Sequence, residues 1–269
     1  MSRGLTYGFA QSRRDRLLTL LQEQGFCATT ELVRYLGVSD MTVRRDVQKL
    51  ADEGLVRIVH GGVSVLPPGA LQGSGRFDER STRMAAAKRA AGRLAASRVR
   101  PGDNLALDAG TTTLEVAKAL PTFSALTVAT HSATAIAELM ERDDVTVIGL
   151  GGVLHHETRS FAGTSVLRAI KELQVGTLYL AASGVGPRGV FCANDFDAVT
   201  KRALIEVARE VVLVVDSSKF DMQAPMVRVC GLDAVGSVVV DDGIHDESRQ
   251  MLERKGVTLE VAQVPATRG

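Results

Sequence analysis

Two hydrophobic rhythms divide this chain: helical spacing up to about residue 55, and an alternation of short apolar runs with helical segments from residue 104 onward. In RRDRLLTLLQEQG the leucines at 17, 18, 20 and 21 predict a helix of about three turns, stopped by Gly25 and preceded by a loose tail over residues 1–12. TTELVRYLG predicts a second, short helix with Thr29 as its cap, Glu31 in its first turn and Gly37 at its end. VSDMTVRRDVQKLADEG predicts a third, from an N-cap at Ser39 to a stop at Gly54. LVRIVHGGVSVL then alternates and turns at Gly61-Gly62, a small hairpin.

The proline- and glycine-rich PPGALQGSG reads as a linker, and residues 77–99 form an Ala/Arg-rich helical stretch. Strands are expected near 104–107, 125–130, 145–150, 177–182, 211–215, 236–240 and 257–261. Helices at 112–120, 132–142, 163–172, 197–209 and 246–255 separate most of them. Helix, short helix, tight turn, helix, hairpin is the order of a winged helix-turn-helix; strand–helix alternation implies a mainly parallel, helix-covered sheet. The expected organisation is a winged helix-turn-helix over 1–66, a linker over 67–76 and a larger α/β domain over 77–269.

Composition changes this picture little. At 269 residues and 45% apolar, the chain can bury a sizeable core and is not disordered. Aromatics are only 4%, without tryptophan, which argues against stacking platforms for bases or sugars. The net charge is +2 over residues 1–65 and −1 over the remainder, so individual charges, not the balance, must identify a partner. Cys27, Cys192 and Cys230 are far apart and odd in number, which reads as reduced thiols rather than a disulfide framework. MSRGLTYGFAQSRRDR has no signal-peptide core, and no apolar run approaches the ~20 residues of a membrane helix. A soluble, cytoplasmic protein with no membrane partner is expected.

On the third helix, Val43, Val47 and Leu50 fall on one face at 100° per residue. Met41, Arg44, Arg45, Gln48 and Asp52 fall opposite, with Thr42 and Lys49 on the flanks. Arginines early in such a helix suit the major groove, where the guanidinium fork pairs with guanine or clamps a phosphate. Ser39, Met41, Thr42, Arg44, Arg45, Gln48 and Lys49 are therefore candidate DNA contacts, joined by Arg57, His60 and Gly61 of the hairpin wing.

In the larger domain the residues just after five strands are DAGTTT (108–113), THSAT (130–134), GLGGVL (149–154), SGVGPRG (183–189) and DSSKF (216–220). Parallel strands bring their C-terminal ends to one edge, where ligands of open α/β sheets bind. An edge of glycines, hydroxyls and a lysine suits a small, oxygen-rich ligand. GTTT opens a helix, so its free N–H groups and positive end can hold an anion, while Gly110 permits close approach. The candidate ligand-binding residues are Gly110, Thr111, Thr112, Thr113, Gly151, Gly152, Lys201 and Lys219, with Asp108 assigned to sugar hydroxyls or to fixing the loop. His155-His156-Glu157 lacks a partner at ligand spacing, and neither a metal nor a cofactor is expected. Asp241-Asp242 is equally a second acidic edge of the pocket or a solvated turn.

RRDRLLTLLQEQG, TTELVRYLGVSDMTVRRDVQKLADEGLVRIVHGGV and LDAGTTT together resemble the DeoR family of bacterial transcriptional regulators over nearly the whole chain. The resemblance implies a winged helix reading operator DNA and a C-terminal domain similar to sugar-phosphate isomerases that senses a sugar phosphate. It adds Lys88 and His131 to the ligand-binding candidates. Three positions depart from the family pattern: Ala87 replaces a glutamate, His131 an asparagine and Gly186 an aspartate. All three touch the inferred pocket.

The expected function is a DNA-binding repressor of carbohydrate-metabolism genes, a dimer or higher homo-oligomer, with operator binding modulated by a phosphorylated sugar. The alternative is an isomerase-like enzyme with an accessory DNA-binding head. Isomerisation requires a general base, and the strand-end loops offer few carboxylates beyond Asp108 and Asp216, which favours a sensor over an enzyme.

Overall fold

A computed structural model describes residues 3–24, 26–52, 55–59, 62–65, 77–122, 125–221 and 227–265. The chain divides into two compact units, Met1–Leu71 and Gln72–Gly269. The expected stops at Gly25 and Gly54, the wing residues His60 and Gly61, and the linker over 67–76 lie outside the described residues.

In the first unit, helices α1 (Arg3–Gln24), α2 (Thr29–Leu36) and α3 (Asp40–Asp52) pack with strands β1 (Phe26–Ala28), β2 (Val56–Val59) and β3 (Gly62–Val65). The strands form an antiparallel sheet of order β1-β3-β2. Leu17 and Leu21 of α1, Leu32 and Leu36 of α2, and Val43, Val47 and Leu50 of α3 share one core, as the apolar stripe of the third helix predicts. The expected tail over 1–12 is corrected by α1, which begins at Arg3. Gly4 and Gly8 lower helix propensity by about 1 kcal/mol each without forbidding a helix. Thr29 is not the cap of α2: Ala28 holds that position, and the Glu31 carboxylate accepts from the Ala28 N–H at 3.2 Å. Gly37 ends α2 in the left-handed region at φ 66°, where glycine bears no Cβ penalty.

The second unit opens with α4 (Phe77–Thr82) and α5 (Ala85–Ala96), which correct the single helical stretch expected over 77–99. Ser81 and Thr82 donate their hydroxyls to the carbonyls of Asp78 and Glu79, and Met84 turns the chain at φ 50°. Then follow β4 (Asn104–Leu107), α6 (Thr111–Ala119), β5 (Leu126–Thr130), α7 (Ala133–Leu139), β6 (Val145–Gly149), a hairpin of β7 (Val153–His155) and β8 (Ser160–Ala162), α8 (Thr164–Lys171) and β9 (Val175–Leu180). After these come β10 (Gly184–Gly186), β11 (Gly189–Cys192), α9 (Asp195–Val207), β12 (Ala208–Val214), a 3-10 turn (Ser217–Phe220), β13 (Val227–Cys230), β14 (Ser237–Asp241), α10 (Asp246–Arg254) and β15 (Thr258–Ala262).

All seven strands expected from the sequence enter one sheet, β15-β14-β12-β9-β4-β5-β6, parallel throughout. Both faces of its inner strands are apolar because both are covered, while the edge strands β6 and β15 are partly exposed. Leu105 and Leu107 of β4 face the core built with α5, α6 and α7, while Ala106 faces the core of α8, α9 and α10. β10, β11 and β13 form a separate antiparallel sheet, so the expected loop over 183–189 is largely strand. From β4 the chain proceeds outward through β5 and β6, then returns to place β9 on the other side of β4. That reversal opens a crevice beyond the C-terminal ends of β4 and β9, the position where such sheets bind ligands.

Candidate functional site

The crevice holds a cavity of about 400 Å³, counted to its open mouth. Its walls include residues 109–112 after β4, residues 181–183 after β9, Asp197 and Lys201 of α9, Arg80 of α4 and Lys219 of the 3-10 turn. α6 starts at Thr111 with Gly110 as its N-cap, so the unmatched N–H groups of its first turn belong to this wall. Gly110 is required by crowding: a Cβ there would stand 2.6 Å from the Ala181 Cβ. Thr113 points the other way, its hydroxyl donating to the carbonyls of Asp108 at 2.7 Å and Gly110 at 3.1 Å.

Beneath the wall lies a buried knot. The Asp108 carboxylate is fully enclosed, accepts from the Ala181 N–H at 2.9 Å and pairs with the Lys201 ammonium. Lys201 Nζ is also 3.4 Å from Asp197 Oδ1. Burial alone lowers the pKa of Lys201, but Asp108 and Asp197 outweigh it and the net shift is upward, so the ammonium stays charged. Of the two roles assigned to Asp108, this geometry matches fixing the loop. His131 Nε2 lies 3.8 Å from Asp108 Oδ1, and neither ring nitrogen has a hydrogen-bond partner among the described residues. Burial and the nearby Lys201 charge depress its pKa to about 4, against a partial offset from Asp197. Asp108, His131 and Asp197 offer ligand atoms within 4.8 Å of one another, but the Lys201 ammonium already supplies the positive charge between the two carboxylates.

The remaining candidates are distributed unevenly. Lys88 is buried, and its ammonium donates to the carbonyls of Arg80 and, at 2.5 Å, Arg83, closing the C-terminal end of α4 instead of lining the cavity. Burial, partly offset by Asp216, lowers its pKa to about 8. The hydroxyls of the 130–134 loop are engaged by neighbouring backbone: Thr130 donates to the Leu107 carbonyl at 2.6 Å, and Ser132 caps α7 by accepting from the Ala135 N–H. Gly151 and Gly152 are exposed beyond β6 and outside the cavity wall, where a Cβ on Gly152 would meet the Ala162 carbonyl at 2.6 Å. Asp241 is buried and accepts from Ser217 N at 2.6 Å and Ser217 Oγ at 2.9 Å, fixing the 3-10 turn, while Asp242 is exposed. His155 stacks on Phe196 with ring centroids 3.9 Å apart. The sequence reading missed Arg80 and Asp197, which look like ordinary helix charges until the topology places them.

Cys27 and Cys192 are buried and Cys230 partly so; burial raises all three thiols, Cys192 to about 12 and Cys230 to about 11.

In the first unit, Ser39 caps α3, its Oγ accepting from Thr42 N at 3.3 Å. Met41, Arg44, Arg45, Gln48 and Lys49 are exposed and Thr42 half-buried, while Arg57 lies on β2 opposite Ser64. Asp46 turns inward and pairs with Arg13 at 2.5 Å, tying α3 to α1. A lone carboxylate on the Val43–Val47–Leu50 face was the signal for that buried pair.

Residues 13–68 match the family profile of the DeoR-like helix-turn-helix domain, and residues 83–242 that of the DeoR C terminal sensor domain. The HTH-type transcriptional regulator YgbI of Escherichia coli K12 is 32% identical over 251 residues, 93% of this chain and 97% of the relative. The glycerol-3-phosphate regulon repressor of the same organism is 32% identical over 250 residues, 93% of this chain and 98% of its own length. Among solved structures, ribose 5 phosphate isomerase A from Neisseria gonorrhoeae overlaps 52% of this chain and 55% of its own, at a TM-score of 0.38 and 16% identity. With a capped third helix that exposes its polar side chains in one unit and both family profiles matched in chain order, the chain belongs to the DeoR family of transcriptional regulators.

Proposed function

We propose that this regulator represses carbohydrate-metabolism genes and that a phosphorylated sugar, bound in the cavity after β4, lowers its affinity for operator DNA. The observation that carries this reading is the cavity wall itself, where the first turn of α6 meets Arg80, Lys201 and Lys219. Backbone N–H groups at a helix start and cations suit a phosphate, while Asp197 can accept from sugar hydroxyls. The similar glycerol-3-phosphate regulon repressor supports a small phosphorylated ligand. The protein acts in the cytoplasm as a dimer or higher oligomer; no described helix is long and apolar enough to cross a membrane. The ligand shifts operator affinity only by its own preference between the DNA-binding and released arrangements.

One observation favours the isomerase-like alternative: Asp197 lines the cavity, and burial raises its pKa, with Lys201 opposing, as for a general base. Against it, Asp197 is ion-paired with Lys201, while Asp108 and Asp216 are fully enclosed. The two readings separate in one experiment. Phosphorylated and free sugars are screened by thermal shift, and each hit is added to an operator-binding assay and tested for turnover. The sensor reading expects weakened DNA binding without turnover, and expects Thr112→Val with Lys219→Ala to abolish the response while operator affinity is kept. Turnover of a hit, or a normal response in the double variant, overturns it.

A further inference from the structure

Two cations of the cavity stand on different elements that meet at one buried contact. Arg80 is carried by α4 and Lys219 by the 3-10 turn, and both line the cavity beside Thr111 and Thr112. The Lys88 ammonium donates to the carbonyls of Arg80 and Arg83, and lies 3.8 Å from Asp216 Oδ2. Asp216 opens the 3-10 turn, where its carbonyl accepts from Lys219 N at 3.0 Å and its carboxylate from Ser218 Oγ. Lys88 and Asp216 are almost completely buried. One enclosed lysine–aspartate contact therefore sets the spacing of the two cation-bearing segments without lining the cavity itself.

The electrostatics agree with this geometry. Burial lowers the pKa of Arg80 and of Lys219, and the charge of Arg80 lowers that of Lys219 further, while Asp197 and Asp216 offset part of the cost. A dianion between two like charges reverses that repulsion. α4 is anchored at its start and followed by an uncommon backbone turn. Its start is held by the Phe77 N–H on the Glu157 carbonyl at 2.9 Å and by Arg159 paired with Asp78 at 2.7 Å. Beyond its end, Met84 sits at φ 50°, a conformation uncommon for a residue with a side chain. α4 is the first described element after residues 66–76, which join it in sequence to the DNA-binding unit.

We propose that Arg80 and Lys219 form a two-armed clamp on the anionic group of the effector, that the Lys88–Asp216 contact positions both arms, and that α4 is the element which registers ligand occupancy. This rests on the reading of the cavity as the effector site. Lys88, a ligand candidate by family resemblance, becomes a positioning residue, and Arg80 takes the direct contact.

The test uses the full chain with inorganic phosphate as probe, reading affinity by calorimetry and hydrogen exchange of residues 77–88, 111–114 and 216–220. In the wild type, phosphate slows exchange in all three segments. Arg80→Gln weakens phosphate by about tenfold or more and removes the response of 77–83 while that of 111–114 persists at saturating phosphate. Lys88→Met produces a similar or larger loss from outside the cavity, and Arg80→Gln with Lys88→Met is no weaker than the worse single variant, because Lys88 acts only through the arms it positions. Should Lys88→Met fail to fold, Arg80→Gln decides alone. Phosphate affinity within about twofold of wild type in Arg80→Gln, with loss in Thr112→Val, overturns the clamp and keeps the cavity reading. Affinity unchanged in both variants overturns the two together, and additive losses in the double variant overturn the positioning role of Lys88.

Discussion

Arg44 with Asp40 on α3 and Lys201 with Asp108 under the cavity are both basic–aspartate pairs within hydrogen-bond reach, yet their side chains are 74% and 56% exposed in the first and 2% and 0% in the second. The exposed pair is weak because water screens it, so Arg44 can leave Asp40 for a base edge or phosphate at little cost. The enclosed pair has no such freedom. Removing Lys201 would leave a buried carboxylate that also anchors the Ala181 N–H, and therefore the relation between the loops after β4 and β9. The same chemistry leaves a side chain free to move at a surface and fixes shape in an interior.

Breaking the enclosed pair is expected to have the largest effect. Lys201→Met should destabilise the second unit by about 3–5 kcal/mol, and adding Asp108→Asn should recover part of the loss. Urea unfolding checks both, and a Lys201→Met midpoint equal to wild type would show that the knot does not hold the fold. Next comes the proton that the knot excludes. His131 titrates at about 4 when folded, below its ordinary 6.5, so the unfolded chain binds a proton that the folded chain does not. Stability is then full above pH 6.5 and declines as pH falls toward 4, by up to about 3 kcal/mol from this group. His131→Asn should flatten that part of the decline; identical pH profiles for variant and wild type would remove His131 as its source. The smallest effect on folding belongs to the exposed pair: Arg44→Ala should change stability by no more than about 0.5 kcal/mol while costing operator binding about 1–3 kcal/mol. Unchanged affinity and sequence preference would exclude Arg44 from base reading.

The large sheet was legible in sequence because its strands carry apolar side chains toward both faces, a pattern that survives without knowledge of their neighbours. All seven expected strands join it, their ends shifted by up to three residues. The smaller sheets of the second unit were not legible, unlike the β2–β3 hairpin of the first: Gly184–Gly186 and Val153–His155 are three-residue strands, too short to show a period. In the cavity, the loop after β4 was readable because a strand, small polar residues and a helix follow one another locally. THSAT has similar composition, yet its hydroxyls close on the backbone, and only the three-dimensional structure separates the two loops. Arg80 and Asp197 stayed hidden because a charge on a helix reads as solvated. What makes them cavity residues is the topology, which packs α4 against α6 after β4 and α9 against β9, so that both reach one crevice.

The crowding of Gly110 by Ala181 has an evolutionary consequence. Because a Cβ at one position occupies the space of the Cβ at the other, the two sites cannot drift independently, although 71 residues separate them. A descendant that acquires alanine at 110 must first accept glycine at 181, and the reverse order passes through a distorted loop. Among diverging copies of this gene, a side chain at 110 should therefore appear only where 181 has already become glycine, leaving an ordered pair of changes as the mark of the crevice.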